Sequence, residues 1–190
     1  LILENLWWKL DSVLDADMIA ASAQMALLES IRNGVTYIFD HHSSPNAAHK
    51  ILKQIAAEIS YFSLRGVVCF ETTDRGGTEL SRTGFDENAM FFEKHQSNKV
   101  KGMFGLHASF TLDDATLQKV ADYVKAHDCG IHIHVCEDES DRTISMQKYG
   151  DTPVKRLAKF GLLNKKSILA HGIHLDDEGR RIIAESGAAV

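Results

Sequence analysis

The chain has 190 residues, 44% hydrophobic and 25% charged, with 13 Gly and 2 Pro. That composition supports a packed core and excludes a disordered or collagen-like chain. The formal charge of −5 comes without a basic block, and no apolar run nears the roughly 18 residues of a membrane span. Neither a nucleic-acid nor a membrane partner is expected. Cys69, Cys129 and Cys136 are odd in number and lack C-x-x-C spacing, so a reducing, cytoplasmic setting is expected instead of a disulfide framework or zinc ribbon.

In chain order, Asp15 or Asp17 is positioned to cap a helix whose Met18, Ala21, Met25 and Leu28 repeat at helical spacing, and Gly34 stops it. The apolar run 35–39 predicts a first strand, followed by His41 and His42. Ser43, Ser44, Pro45 and Asn46 make a turn, and Ile51, Leu52, Ile55, Ile59 and Phe62 mark a second helix. The run 67–70 is a second strand, and the polar stretch 76–84 after it reads as a surface loop or a lid. A third strand, 100–106, exits into His107, and Thr111 to Asp114 resembles a capping box ahead of Leu117, Val120 and Val124. The fourth strand, 131–135, contains His132 and His134. Thr152 and Pro153 open a helix that Gly161 closes, and strand 167–170 then leads to His171 and His174. Asp176 opens a last helix ending near Gly187, and 188–190 enters a sixth strand.

Short β-branched runs alternating with helical segments, spaced roughly 30 residues apart, predict βα units and a parallel sheet. Five or six such units fit an open doubly wound sheet or part of an eight-stranded barrel, and both folds place chemistry at the carboxyl ends of strands. Seven of the ten histidines fall within or just after the predicted strands. His132 and His134 share one strand face, with His134 nearer the exit. Neutral imidazole is a common zinc ligand, and the carboxylate of Glu137 just beyond could move protons to and from water. His134 also fits a histidine satisfied by core hydrogen bonds, the favoured reading for His132. His171, at the neighbouring exit, could bind a second metal or hold the attacking water, and His107 could contact substrate or pack beside Thr111. His49, His95 and His127 fall in helical contexts and read as surface residues. Dinucleotide, P-loop and G-x-S-x-G motifs are absent, and Cys136 reads as a small buried residue.

The ordered set Gly34-Val35-Thr36 into Asp40-His41-His42, Gly105-Leu106-His107-Ala108-Ser109, Ile133-His134-Val135-Cys136-Glu137 and Ala170-His171-Gly172-Ile173-His174-Leu175 resembles the amidohydrolase superfamily. It is similar to the branch of guanine, cytosine and S-adenosylhomocysteine deaminases and triazine hydrolases. Glu4 to Leu10 and Asp40 to Pro45 resemble the SsnA-like aminohydrolases most. The resemblance implies an α/β fold of the TIM type, a (β/α)8 barrel, incomplete here. Residues 1–190 then form one partial barrel domain, about strands 2 to 6 and the start of 7. It further implies a metal-dependent hydrolase of C–N bonds in a heterocyclic small molecule such as a purine or pyrimidine, with zinc as the expected metal and iron as the other choice. His134 matches the strand-5 metal ligand, Glu137 the acid/base, His171 the strand-6 residue that orients water, and His107 a substrate-contacting position. A strand-1 His-x-His and a strand-8 Asp have no counterpart in this sequence, so the chain is expected to be an inactive internal fragment. Lys101 lies six residues before His107, about 20 Å along an extended chain, which implies a single-metal site. Hydrolytic dechlorination, or a non-catalytic barrel used for binding or assembly, is the alternative. Open strand edges predict association with another copy.

Overall fold

The structure, a computed structural model, describes residues 2–190. The chain divides into two compact units, one of residues up to Glu71 with Thr83–Met103, the other of Thr72–Arg82 with Phe104–Val190. Each holds a three-stranded sheet. Short helix α1 (Trp8–Val13) precedes α2 (Ala16–Arg32) in the first unit.

There β1 (Tyr37–His42), β2 (Arg65–Phe70) and β3 (Val100–Gly102) lie in that order, all parallel. β2 is buried from Gly66 to Phe70, as expected of a strand covered on both faces. β1 runs further than the apolar run 35–39 indicated, because Asp40, His41 and His42 pair with Val68, Cys69 and Phe70. The two histidines are therefore the last residues of the strand. Asp15 caps α2 by accepting from Met18 N at 2.8 Å. The packed side of α2 is not the expected one. Ile19 and Leu27 are buried, while Met18, Met25 and Leu28 are 52%, 60% and 43% exposed. Ala23 and Ser30, half-buried along the Ile19 side, are small enough to let the helix lie close to its neighbours. α3 (Ile51–Tyr61) buries Ile51, Leu52, Ile55 and Ile59 as its spacing predicts, each contributing about 1.5–3 kcal/mol.

The stretch 76–84 is no loop: α4 (Thr78–Lys94) covers most of it. Its buried residues include Glu87 and Asn88, which serve other elements. The Glu87 carboxylate accepts from Lys50 N and Leu52 N, both at 2.9 Å, capping α3, whose own N-cap offers no side-chain acceptor. Asn88 accepts from Phe70 N at 2.8 Å and donates to Phe70 O at 2.7 Å, closing off the end of β2.

In the second unit β4 (Phe104–Ala108), β5 (Ile131–Val135) and β6 (Ile168–His171) form a parallel sheet in that order. The expected single strand 100–106 is two strands in different sheets. Met103 N bonds Val68 O, whereas Phe104 N bonds Gly130 O. Leu106 pairs with Ile133 and Ala108 with His134, so His107 is the extra residue of a bulge. α5 (Asp114–His127) starts after Asp113, not at Thr111, because Thr111 is engaged elsewhere. Asp74 supports that start, accepting from Asp113 N at 2.7 Å and from the Thr116 hydroxyl at 2.9 Å. α6 (Glu139–Tyr149), α7 (Pro153–Lys159) and α8 (Asp177–Ser186) complete the unit. Arg156 of α7 is 2% exposed and donates to Ser109 O at 2.6 Å and Leu112 O at 2.8 Å, bracing the turn after β4. Ala189 bridges Ile168 in parallel where the sequence pointed to a sixth strand.

Candidate active site

The exits of β4, β5 and β6 bring His107, His134 and His171 together in the second unit. The His107 and His134 ring centroids are 5.7 Å apart, and those of His134 and His171 are 5.4 Å apart. Glu137, two residues past β5, places Oε2 3.6 Å from His171 Nε2. The four residues singled out from sequence thus form one cluster.

Hydrogen bonding fixes the tautomers. His134 Nδ1 lies 2.9 Å from His107 O, and a carbonyl only accepts, so Nδ1 carries the proton and Nε2 keeps its lone pair. His107 Nδ1 lies 2.8 Å from Thr111 Oγ1, whose own proton goes to Ala108 O at 2.9 Å. Thr111 therefore accepts from His107, and that ring also keeps its Nε2 unprotonated. Burial pushes His107 down to about 3, helped by the charges of Arg75 and His134. Burial lowers His134 as well, outweighing the carbonyl bond that favours its charged form. Both rings are neutral near pH 7. His132, deeper in β5 and 8% exposed, is pushed down to about 4 by burial, consistent with a core histidine.

The exits are strained. His171 has φ +76°, a conformation that costs a residue with a Cβ about 1–2 kcal/mol, and Gly172 follows at +63°. Cys136 has φ +53°. It is buried, and burial pushes its thiol up to about 12, so it is no nucleophile at neutral pH. His174 is exposed and ties its N–H to Cys136 O at 2.9 Å.

Two carboxylates, Asp141 and Glu71, escaped sequence reasoning, and Asp40 entered it only within a motif. Asp141, in the first turn of α6, is 4% exposed. In the first unit, Glu71 directly follows β2 at 8% exposure and accepts from the Ser43 hydroxyl at 3.4 Å. Burial pushes Asp40 up to about 6. The one sequence signal for Glu71 is a charge ending an apolar run. His42, in the same unit, bonds the Ser44 hydroxyl at 2.8 Å and is pushed down to about 4 by burial. His49 and His127 are exposed as expected, while His95 is half-buried beside Phe91.

Parallel βα units define an α/β protein, and its imidazoles stand at successive strand exits, where folds of this kind carry their chemistry. The chain belongs to the amidohydrolase family, whose model matches residues 2–190. It is similar to the 5-methylthioadenosine/S-adenosylhomocysteine deaminase of Caldicellulosiruptor saccharolyticus, 31% identical over 92% of this chain and 38% of the relative. The enzyme of that name from Thermoanaerobacter pseudethanolicus is 25% identical over 94% of this chain and 40% of its own length. The chain therefore spans about two-fifths of these relatives. Among solved structures, a zinc-bound adenosine deaminase of Xanthomonas campestris superposes with a TM-score of 0.85 at 21% identity, over 98% of this chain and 42% of that one. An atrazine chlorohydrolase of Arthrobacter aurescens, complexed with zinc, gives 0.80 at 18% identity, over 96% and 44%. The fold class is accordingly α/β of the amidohydrolase barrel type, incomplete relative to these proteins.

Proposed function

We propose that the protein to which this segment belongs is a metal-dependent aminohydrolase that uses water to replace a ring amino group on a purine, pyrimidine or related heterocycle. Support comes from the deaminase relatives and, in the chain itself, from His134. Its Nδ1–H is committed to the His107 carbonyl, which leaves Nε2 unprotonated in a ring that lies beside His171 of the His171–Glu137 pair. A lone pair on a neutral, oriented imidazole suits a zinc or iron ligand. A divalent ion held there would lower the pKa of water toward about 7. Glu137 takes the proton released by the attacking water and returns it to a ring nitrogen or the departing amine. His171, within reach of Glu137, orients that water. His107, with its unprotonated Nε2, accepts a hydrogen bond from a substrate N–H. The three free, buried cysteines agree with a reducing compartment, which we take to be the cytoplasm.

The test uses the full-length protein, with ammonia release from 5′-methylthioadenosine, S-adenosylhomocysteine, adenosine and guanine as the assay. Glu137→Gln should keep its metal and lose at least about 100-fold in kcat. Turnover equal to wild type would refute the assignment. The chlorohydrolase neighbour favours one other reading, halide displacement from a triazine, and chloride in place of ammonia as the product from atrazine would select it.

A further inference from the structure

We infer that Asp141 is a positioning residue for Glu137, pinning the turn that separates His134 from the proposed acid/base. This rests on the role given to Glu137 above. Asp141 Oδ2 accepts from Cys136 N at 2.6 Å, a short, charge-assisted bond to the residue just before Glu137. Cys136 adopts φ +53°, which a residue with a Cβ holds only when its surroundings impose it. Those surroundings are visible on both sides. Val135 O and Cys136 O accept from Gly172 N and His174 N at 2.9 Å, fastening the turn to the exit of β6, and Asp141 holds Cys136 N from α6.

Helix capping does not account for Asp141. The N-cap of α6 is Asp138, which accepts from Ser140 N at 2.9 Å. Asp141 is the third residue of the helix, the position that in a capping box reaches back to the N-cap N–H. Here it reaches two residues further, to Cys136. No cation compensates the carboxylate: its Oδ1 is buried without a hydrogen-bond partner among the described residues, and the adjacent Arg142 pairs with Asp176 at 3.2 Å. Burying a carboxylate on one strong bond is costly. The return is a fixed turn, with Glu137 directed toward His171 at 3.6 Å.

The test begins on the 190-residue chain by NMR. In the wild type, a coupling across the hydrogen bond should link Cys136 N to the Asp141 carboxyl carbon, and its absence overturns the pin. Asp141→Ala should lower the exchange protection of the Cys136 amide about tenfold or more. It should also erase the nuclear Overhauser contact between the His171 ring and the Glu137 side chain. Asp141→Asn, which retains an oxygen acceptor, should preserve both. A contact that survives in a folded Asp141→Ala chain refutes positioning. In the full-length protein, by the same ammonia assay, Asp141→Ala should reduce kcat roughly 10- to 100-fold, with KM and metal content unchanged and recovery in Asp141→Asn. If Glu137→Gln retains turnover, the acid/base assignment falls while the NMR result still decides the pin.

Discussion

His107 donates through Nδ1 to Thr111, so a second proton would have to enter a buried ring beside the charge of Arg75. Its folded-state value of about 3 lies below the ordinary 6.5, so between these limits the unfolded chain binds a proton that the folded chain refuses. Stability from His107 is complete above pH 6.5 and lost as the pH falls toward 3. His42 and His132, near 4, act in the same direction. Asp40 and Asp141, raised to about 6, act oppositely: they hold protons in the folded state, and stability falls as the pH rises from 3.8 through 6. Urea midpoints measured from pH 7 to pH 4 should therefore drop less for His107→Gln than for the wild type, and equal drops would remove His107 from this account. The same bonding predicts that His107 and His134 both carry their proton on Nδ1 near neutral pH. Imidazole nitrogen-15 shifts report this directly, and an Nε2–H form of His134 would withdraw it as a metal ligand.

Helices α2 and α4 show where apolar periodicity succeeds and where it misleads. Leu27, 3% exposed, should cost about 2–5 kcal/mol when replaced by Ala. Met25, at 60% exposure, should shift urea stability by no more than about 0.5 kcal/mol when replaced by Lys. The sequence pattern ranks them the other way, because it registers an apolar stripe but not which side of the helix meets a neighbour. Asn88→Ala should cost about 1–3 kcal/mol by leaving both polar groups of Phe70 unpaired. That helix escaped sequence reading because its inward side carries Glu87 and Asn88, whose value lies in backbone groups far away in the chain. The run 131–135 was legible to the residue, since a buried parallel strand needs no help from its neighbours to be recognised. Of the candidate site in the second unit, His107, His134, His171 and Glu137 were legible from their strand exits. Asp141 was not, and neither was the burial of Asp40 and Glu71 in the first unit, because the burial of a carboxylate is a tertiary fact.

Over the whole molecule, two three-stranded parallel sheets are built from alternating βα units, and one family model spans both. β1 stands at the end of its sheet, with Tyr37 and Phe39 exposed at 40% and 52%. An apolar strand edge invites pairing with another chain. Sedimentation of the 190-residue chain should accordingly depend on concentration, and Phe39→Lys should weaken that dependence. A monomer at all concentrations would dispose of this expectation. The bulge at His107 carries a consequence for comparing proteins of this kind. β4 takes two steps where β5 takes one, so a superposition that matches strands residue for residue falls out of phase at the exit. Removing a single residue there would turn the imidazole to the opposite side of the sheet without altering the composition of the strand. Whether a relative has the same cluster is thus a question of counting along the backbone before it is one of residue identity.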